Sequence, residues 1–131
     1  MHKPKSKKVF DHLEYYLEHE ISPVRQDIEN LQQHLERRES LYTNIGLPKL
    51  LIEGKKVLEV GPGSGHNSLY VSSCIPQIYD LLEPNEIAWS HIEKLYSETS
   101  KKIKLVQPNI IKKKLEDFNE SEKYDIVICE A

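Results

Sequence analysis

Glycines separated by single residues, with a carboxylate just ahead of them, are the first chemistry-bearing feature of this chain: Glu59-Val60-Gly61-Pro62-Gly63-Ser64-Gly65-His66. Glycine lets the backbone bend sharply and lets a ligand approach with no Cβ in the way. Where such a turn opens a helix, the first free N–H groups favour a carboxylate or a phosphate. The second feature is Glu83, which closes the run Tyr79-Asp80-Leu81-Leu82 and stands 22 positions after Gly61 (83 − 61). An ionised carboxylate there accepts hydrogen bonds from both hydroxyls of a ribose and repels a phosphorylated 2′ position. A glycine turn followed by an acid at this spacing points to a nucleotide-type ligand.

These residues need a scaffold that holds the turn and the acid side by side. Lys56 to Val60 (KVLEV) is short, apolar and β-branched, and predicts a buried strand. Asn67 to Ile75 fits a helix, Gln77 to Leu82 a second strand, and Pro84-Asn85 opens another helix with Ile87, Ala88, Ile92, Leu95 and Tyr96 inward. Ile103 to Val106 predicts a third strand, Ile110 to Phe118 a polar and partly helical connector, and Tyr124 to Cys129 a fourth strand. Strands alternating with helices imply βαβ units and a parallel sheet. The fold class expected is α/β: an incomplete doubly wound, mostly parallel sheet of about four strands, preceded by an N-terminal helical region.

That helical region is expected over residues 1–46, with the ligand-binding half-domain over 47–131. Phe10, Leu13, Leu17 and Ile21 form one helical face, with His12, Tyr15, Tyr16 and His19 on the same helix. Ser22-Pro23 restarts a helix, serine as N-cap and proline at the first position. Its stripe runs Val24, Ile28, Leu31, Leu35, Leu41 and Tyr42, and Gly46 ends it. A further short turn over Pro48 to Ile52 ends at Gly54. Arg38 lies on the apolar side of the stripe. Either its stem packs while its head reaches water, or its guanidinium faces a ligand carboxylate, for which an arginine fork is suited.

The pattern E-x-G-x-G-x-G over Glu59 to Gly65 resembles motif I of the class I S-adenosylmethionine-dependent methyltransferases. Glu83 resembles the acid that ends that family's second strand, and Tyr124 to Glu130 (YDIVICE) resembles its fourth-strand motif. The resemblance covers about Leu47 to Ala131. It implies S-adenosylmethionine as cofactor, S-adenosylhomocysteine as product, and methyl transfer to an acceptor the sequence does not name. The cofactor-binding set it implies is Glu59, Gly61, Pro62, Gly63, Gly65, Asn67, Glu83, Pro84, Asn85 and Asn109, to which Arg38 is added from the helix stripe. Glu59 would hold the loop and the ligand's amino group. The glycines would pass under the methionine portion and the ribose, and Pro84 or Asn85 would lie beside the adenine. After its third strand the family often carries an acid that contacts the adenine amine. Gln107-Pro108-Asn109-Ile110-Ile111 has none, so Asn109 stands in, with Leu115, Glu116 or Asp117 further along. Glu130, at the end of the fourth strand, is the candidate catalytic residue, with a plain loop carboxylate as the competing reading. It is not part of the Asn/Asp-Pro-Pro-Tyr motif of adenine and glutamine methyltransferases. His66 is read as a loop-stabilising residue.

Composition narrows the remaining classes. A net charge of −3 gives no global attraction to nucleic acid or anionic membrane, and the basic start (Lys3, Lys5, Lys7, Lys8) reads as a solvated tail. No apolar run approaches the ~18 residues that span a bilayer. Cys74 and Cys129, each in an apolar segment, read as buried thiols of a cytoplasmic protein. No histidine or cysteine spacing fits a metal. Two competing functions are a nicotinamide-dependent oxidoreductase, disfavoured because His66 stands where a dinucleotide fingerprint wants glycine or alanine, and a non-catalytic binding module. A fourth strand ending near Ala131 predicts a truncated domain whose exposed strand edge invites self-association.

Overall fold

A computed structural model of the chain describes residues 23–119 and 123–130, with side chains from Asn30 onward. The expected first helix and the Ser22 cap lie outside the described residues. The chain divides into two compact units, Met1–His34 and Leu35–Ala131. Of the first, only the start of helix α1 (Pro23–Asn44) is described. The second holds the rest of α1, then α2 (Lys49–Ile52), β1 (Lys56–Val60), α3 (Ser68–Ser73), β2 (Ile78–Leu82), α4 (Glu86–Thr99), β3 (Asn109–Ile111), a 3-10 turn (Leu115–Asp117) and β4 (Ile126–Cys129).

The four strands make one parallel sheet in the order β3-β2-β1-β4. β1 is central, and Val57, Leu58 and Glu59 are buried in succession, as a strand covered on both faces requires. The chain winds outward from β1 through β2 to β3, then returns to the opposite side of β1 as β4. The reversal puts a topological switch point between β1 and β4, and ligands of open α/β sheets bind at the carboxyl ends of the strands beside such a point. Register aligns Val60 with both Leu82 and Cys129, so the glycine turn, Glu83 and Glu130 leave the sheet at one edge.

Asn85 caps α4 by accepting a hydrogen bond from the Ile87 N–H at 2.9 Å, the role its side chain is suited to. Ala88, Ile92 and Tyr96 of α4 are buried, and the Tyr96 hydroxyl meets Ser72 of α3 at 2.6 Å. Ile87, expected inward, is 68% exposed, because it sits one residue before the buried stripe that begins at Ala88. Leu41 of α1 is likewise outward at 44%, and Tyr42 takes the buried place at 2%. A period of 3.6 brings Tyr42 back over Leu35 after two turns, whereas Leu41 is about 120° away. Gly46 ends this part of the chain at φ +90°, with Leu47 N donating to Tyr42 O at 2.8 Å.

The third strand differs from the sequence expectation. Ile103 to Val106 is not a strand: Ile103 N still bonds Thr99 O at the end of α4, and Val106 N donates to Ser72 O at 3.1 Å. Those donors are spent on helices, and Asn109–Ile111 pairs with Asp80–Leu82 instead. Helix α3 stops at Ser73, short of the expected Ile75, which has a φ of +58° that no helix accepts. Cys129, expected buried, faces out because β4 alternates and Ile128 takes the inward place. Among the described residues, no helix is long and apolar enough to cross a membrane.

Candidate functional site

The glycine turn leaves β1 with Gly61, Gly63 and Gly65 all at positive φ (+69°, +64° and +88°). Gly61 N donates to Leu82 O at 2.9 Å and ties the turn to the end of β2. A Cβ on Gly61 or Gly63 would stand in open space, whereas one on Gly65 would meet Ile92 Cγ1 of α4 at 3.0 Å. The first two glycines therefore expose backbone on the open side of the turn, and the third lets the turn pack against α4. Pro62 is half-buried, and its carbonyl accepts from Gly65 N at 3.2 Å. Asn67 is exposed at the N-cap of α3 and makes no side-chain cap. His66 is exposed, with Nδ1 3.4 Å from Ser64 Oγ within the loop.

Glu83 is 6% exposed at the end of β2. One oxygen accepts from Gly63 N and the other from Asn85 N, both at 3.1 Å. A carboxylate has about four acceptor sites. Two are used in holding the loop, and two are left for a pair of vicinal hydroxyls. The Glu83 carbonyl accepts from Trp89 Nε1 at 2.6 Å, so α4 also braces this residue. Pro84 is exposed beside it, and the Asn85 side chain is committed to capping α4.

Glu59 is buried, and a single oxygen, Oε1, accepts from both Ser68 Oγ (2.9 Å) and Tyr79 Oη. Burial raises its pKa above the ordinary 4.5, against the lowering effect of those two hydrogen bonds. The charges of Glu130 and Arg38 also act on it, the first raising and the second lowering. Neither Ser68 nor Tyr79 is marked for this role by the sequence, since both lie in segments whose neighbours are buried as well and no alternation sets them apart.

Arg38 does not reach solvent through its stem. Its side chain is 12% exposed, and Nη2 pairs with Glu130 Oε2. Tyr42, one helical turn on, donates to the same oxygen at 2.6 Å. Its ring lies 5.3 Å from the guanidinium and 5.3 Å from the Tyr70 ring. Burial, then the hydrogen bond to Glu130, holds the Tyr42 phenol well above its usual range, so it remains a donor. Arg38 Nε is buried with no hydrogen-bond partner. The two residues considered separately in the sequence, one for a ligand carboxylate and one for catalysis, are thus partners. Tyr42 belongs to the helix stripe read from the sequence, and its hydrogen bond to Glu130 is what the sequence did not reveal.

Asn109 is exposed at the start of β3. It opens β3 opposite Asp80, two residues before the register pair Leu82 and Ile111. At about 3.3 Å per residue its backbone lies roughly 7 Å before the carboxyl edge of the sheet. The residue that follows β3 is Lys112, whose ammonium sits 4.8 Å from the centre of the Trp89 ring. Leu115, Glu116 and Asp117 form the exposed 3-10 turn beyond it. Among the described residues no group of three or more His, Cys, Asp or Glu side chains is placed to hold a metal ion.

The chain resembles several solved structures. The S-adenosylmethionine-bound magnesium protoporphyrin IX methyltransferase of Synechocystis PCC 6803 is 21% identical at a TM-score of 0.55, over 83% of this chain and 49% of that one. An S-adenosylmethionine-dependent methyltransferase of Clostridium acetobutylicum is 12% identical at 0.55, over 71% and 35%. Protein arginine methyltransferase 10 of Arabidopsis thaliana is 28% identical at 0.51, over 63% and 22%. The chain spans less than half the length of each. No protein-family model matches the chain, and no curated protein does. The fold is that of the class I S-adenosylmethionine-dependent methyltransferases.

Proposed function

We propose that this chain binds S-adenosylmethionine and forms the cofactor-binding part of a methyltransferase. The observation that carries the reading is the Glu83 carboxylate, bonded to Gly63 N–H at the switch-point edge with two acceptor sites left. The fit extends to the rest of the ligand. The space over Gly61 and Gly63 is open, and the buried Arg38 Nε offers an unused donor. Glu83 would take the ribose hydroxyls, the loop would run beneath the ribose and methionine portion, and Arg38 would take the carboxylate. When bound, the cofactor supplies an electrophilic methyl group on sulfur.

The chain's own residues position and shield. Glu59, fixed by Ser68 and Tyr79, holds the start of the loop and adds negative character where a cationic amino group would sit. Glu130 accepts from Arg38 and Tyr42 and keeps the guanidinium in place at the end of β4. Methyl transfer by in-line displacement gains mainly from such positioning and from exclusion of water.

Calorimetric titration of S-adenosylmethionine and S-adenosylhomocysteine tests this, with Glu83→Ala and NAD as controls. Binding that the Glu83 substitution abolishes, together with no heat from NAD, is the expected result. A folded chain that takes up neither sulfur nucleoside would refute the reading.

A further inference from the structure

The carboxyl edge next to Glu83 is built unlike the acid-bearing turn that the family resemblance implied. Backbone pairing continues one step past the strands, since Glu83 N donates to Ile111 O at 3.0 Å. Lys112 therefore emerges directly beside Glu83. Trp89 reaches the same place from α4: its Nε1 is bonded to the Glu83 carbonyl at 2.6 Å, and its ring carries the Lys112 ammonium at 4.8 Å. Trp89 is half-buried and Lys112 exposed. Among the described residues the indole is the one recorded partner of that ammonium. An aromatic face and a cation thus flank the carboxylate on its β3 side, with no acid between Gln107 and Lys114.

The consequence rests on the nucleoside reading given above. A base is joined at C1′, the neighbour of the C2′ whose hydroxyl the carboxylate takes, so it must lie close to Glu83. We propose that Trp89 and Lys112 form the base-reading side of the site and that Lys112 makes it a reader of hydrogen-bond acceptors. Adenine presents an exocyclic amine as donor and ring nitrogens as acceptors. A carboxylate accepts from the amine and rejects a 6-oxo base, because two acceptors then face each other unpaired. An ammonium has three donors and no acceptor. It bonds a ring nitrogen of adenine or the 6-oxo group of hypoxanthine equally well. The site therefore tolerates an inosyl ligand that an acid-bearing site turns away. The indole supplies an apolar face and, through its bond to the Glu83 carbonyl, couples base contact to the ribose carboxylate.

Trp89 is the single tryptophan of the chain, so its emission reports on this corner alone. The test titrates the full chain with S-adenosylhomocysteine and S-inosylhomocysteine, by calorimetry and by tryptophan fluorescence, in wild type and Lys112→Glu. Circular dichroism verifies that the variant is folded, which an exposed position favours. Expected are dissociation constants within about threefold of each other for wild type, a preference of about tenfold or more for the adenosyl ligand in Lys112→Glu, and a Trp89 emission change on saturation. Normal S-adenosylhomocysteine binding with a ratio unchanged by Lys112→Glu would overturn the base-reading role and leave the cofactor reading standing. Tenfold rejection of the inosyl ligand by wild type would do the same. No S-adenosylhomocysteine binding by the folded chain would overturn both.

Discussion

Gly63 and Gly65 share a left-handed backbone but face different surroundings, and alanine at each position should separate the two reasons for a glycine. At Gly63, φ is +64° and a Cβ meets nothing within 4 Å. Alanine there costs the left-handed strain alone, about 1–2 kcal/mol. At Gly65, φ is +88° and the Cβ lands 3.0 Å from Ile92 Cγ1. Ile92 is 1% exposed and has no room to withdraw, so overpacking of about 1–3 kcal/mol adds to the strain. The expected cost of Gly65→Ala is therefore about 2–5 kcal/mol, against a total stability of roughly 5–15 kcal/mol for a domain. Urea denaturation of Gly63→Ala, Gly65→Ala, Ile92→Ala and the Gly65→Ala/Ile92→Ala double variant measures it. Ile92→Ala removes the clashing atom, so the cycle should show a coupling of about 1–3 kcal/mol. Ligand binding should reverse the order: the Gly63 methyl stands in the open space over the turn and should weaken S-adenosylhomocysteine by about tenfold or more, although it costs less stability than the Gly65 methyl. Equal costs at the two glycines, or no coupling between Gly65 and Ile92, would refute the packing argument.

Three further outcomes follow from the same geometry. Burial raises Glu59 above 4.5, so the folded state holds its proton more tightly than the unfolded one. Its contribution is complete below pH 4.5 and is lost as pH rises through the raised value. Because Ser68 and Tyr79 both bond Oε1, a Glu59→Gln amide keeps both contacts; its Tm at pH 7–8 should equal or exceed wild type, and the loss of stability from pH 4.5 upward should flatten. Arg38→Ala should weaken S-adenosylhomocysteine while leaving 5′-methylthioadenosine, which lacks the carboxylate, within about twofold; equal losses for both ligands would assign Arg38 to structure alone. Asn85→Ala should lower stability by about 1 kcal/mol through loss of the α4 cap, and Asn85→Asp should restore it; a denaturation midpoint unchanged by the alanine would show that the cap is idle.

What the sequence determined by itself is local. The β-branched run Lys56–Val60 could be covered on both faces only as a central strand, and the glycines after it mark a turn that admits left-handed backbone. Asn85 announced the start of α4, and Glu83 at its fixed distance from Gly61 announced the acid. Tertiary structure decided what depends on competition between distant partners. Both Ile103–Val106 and Asn109–Ile111 can extend beside β2, and the choice went to the second because Ser72 and Thr99 had taken the first segment's donors. The face of α1 reads the same from sequence whether Arg38 snorkels or binds. Its pairing with Glu130 exists because β4 returns to the far side of β1 and delivers a carboxylate 92 residues away. Periodicity and turn chemistry act within a few residues and are written in order along the chain. Strand choice and buried charge pairing depend on which groups remain unsatisfied after everything else has packed, and only the folded molecule holds that information.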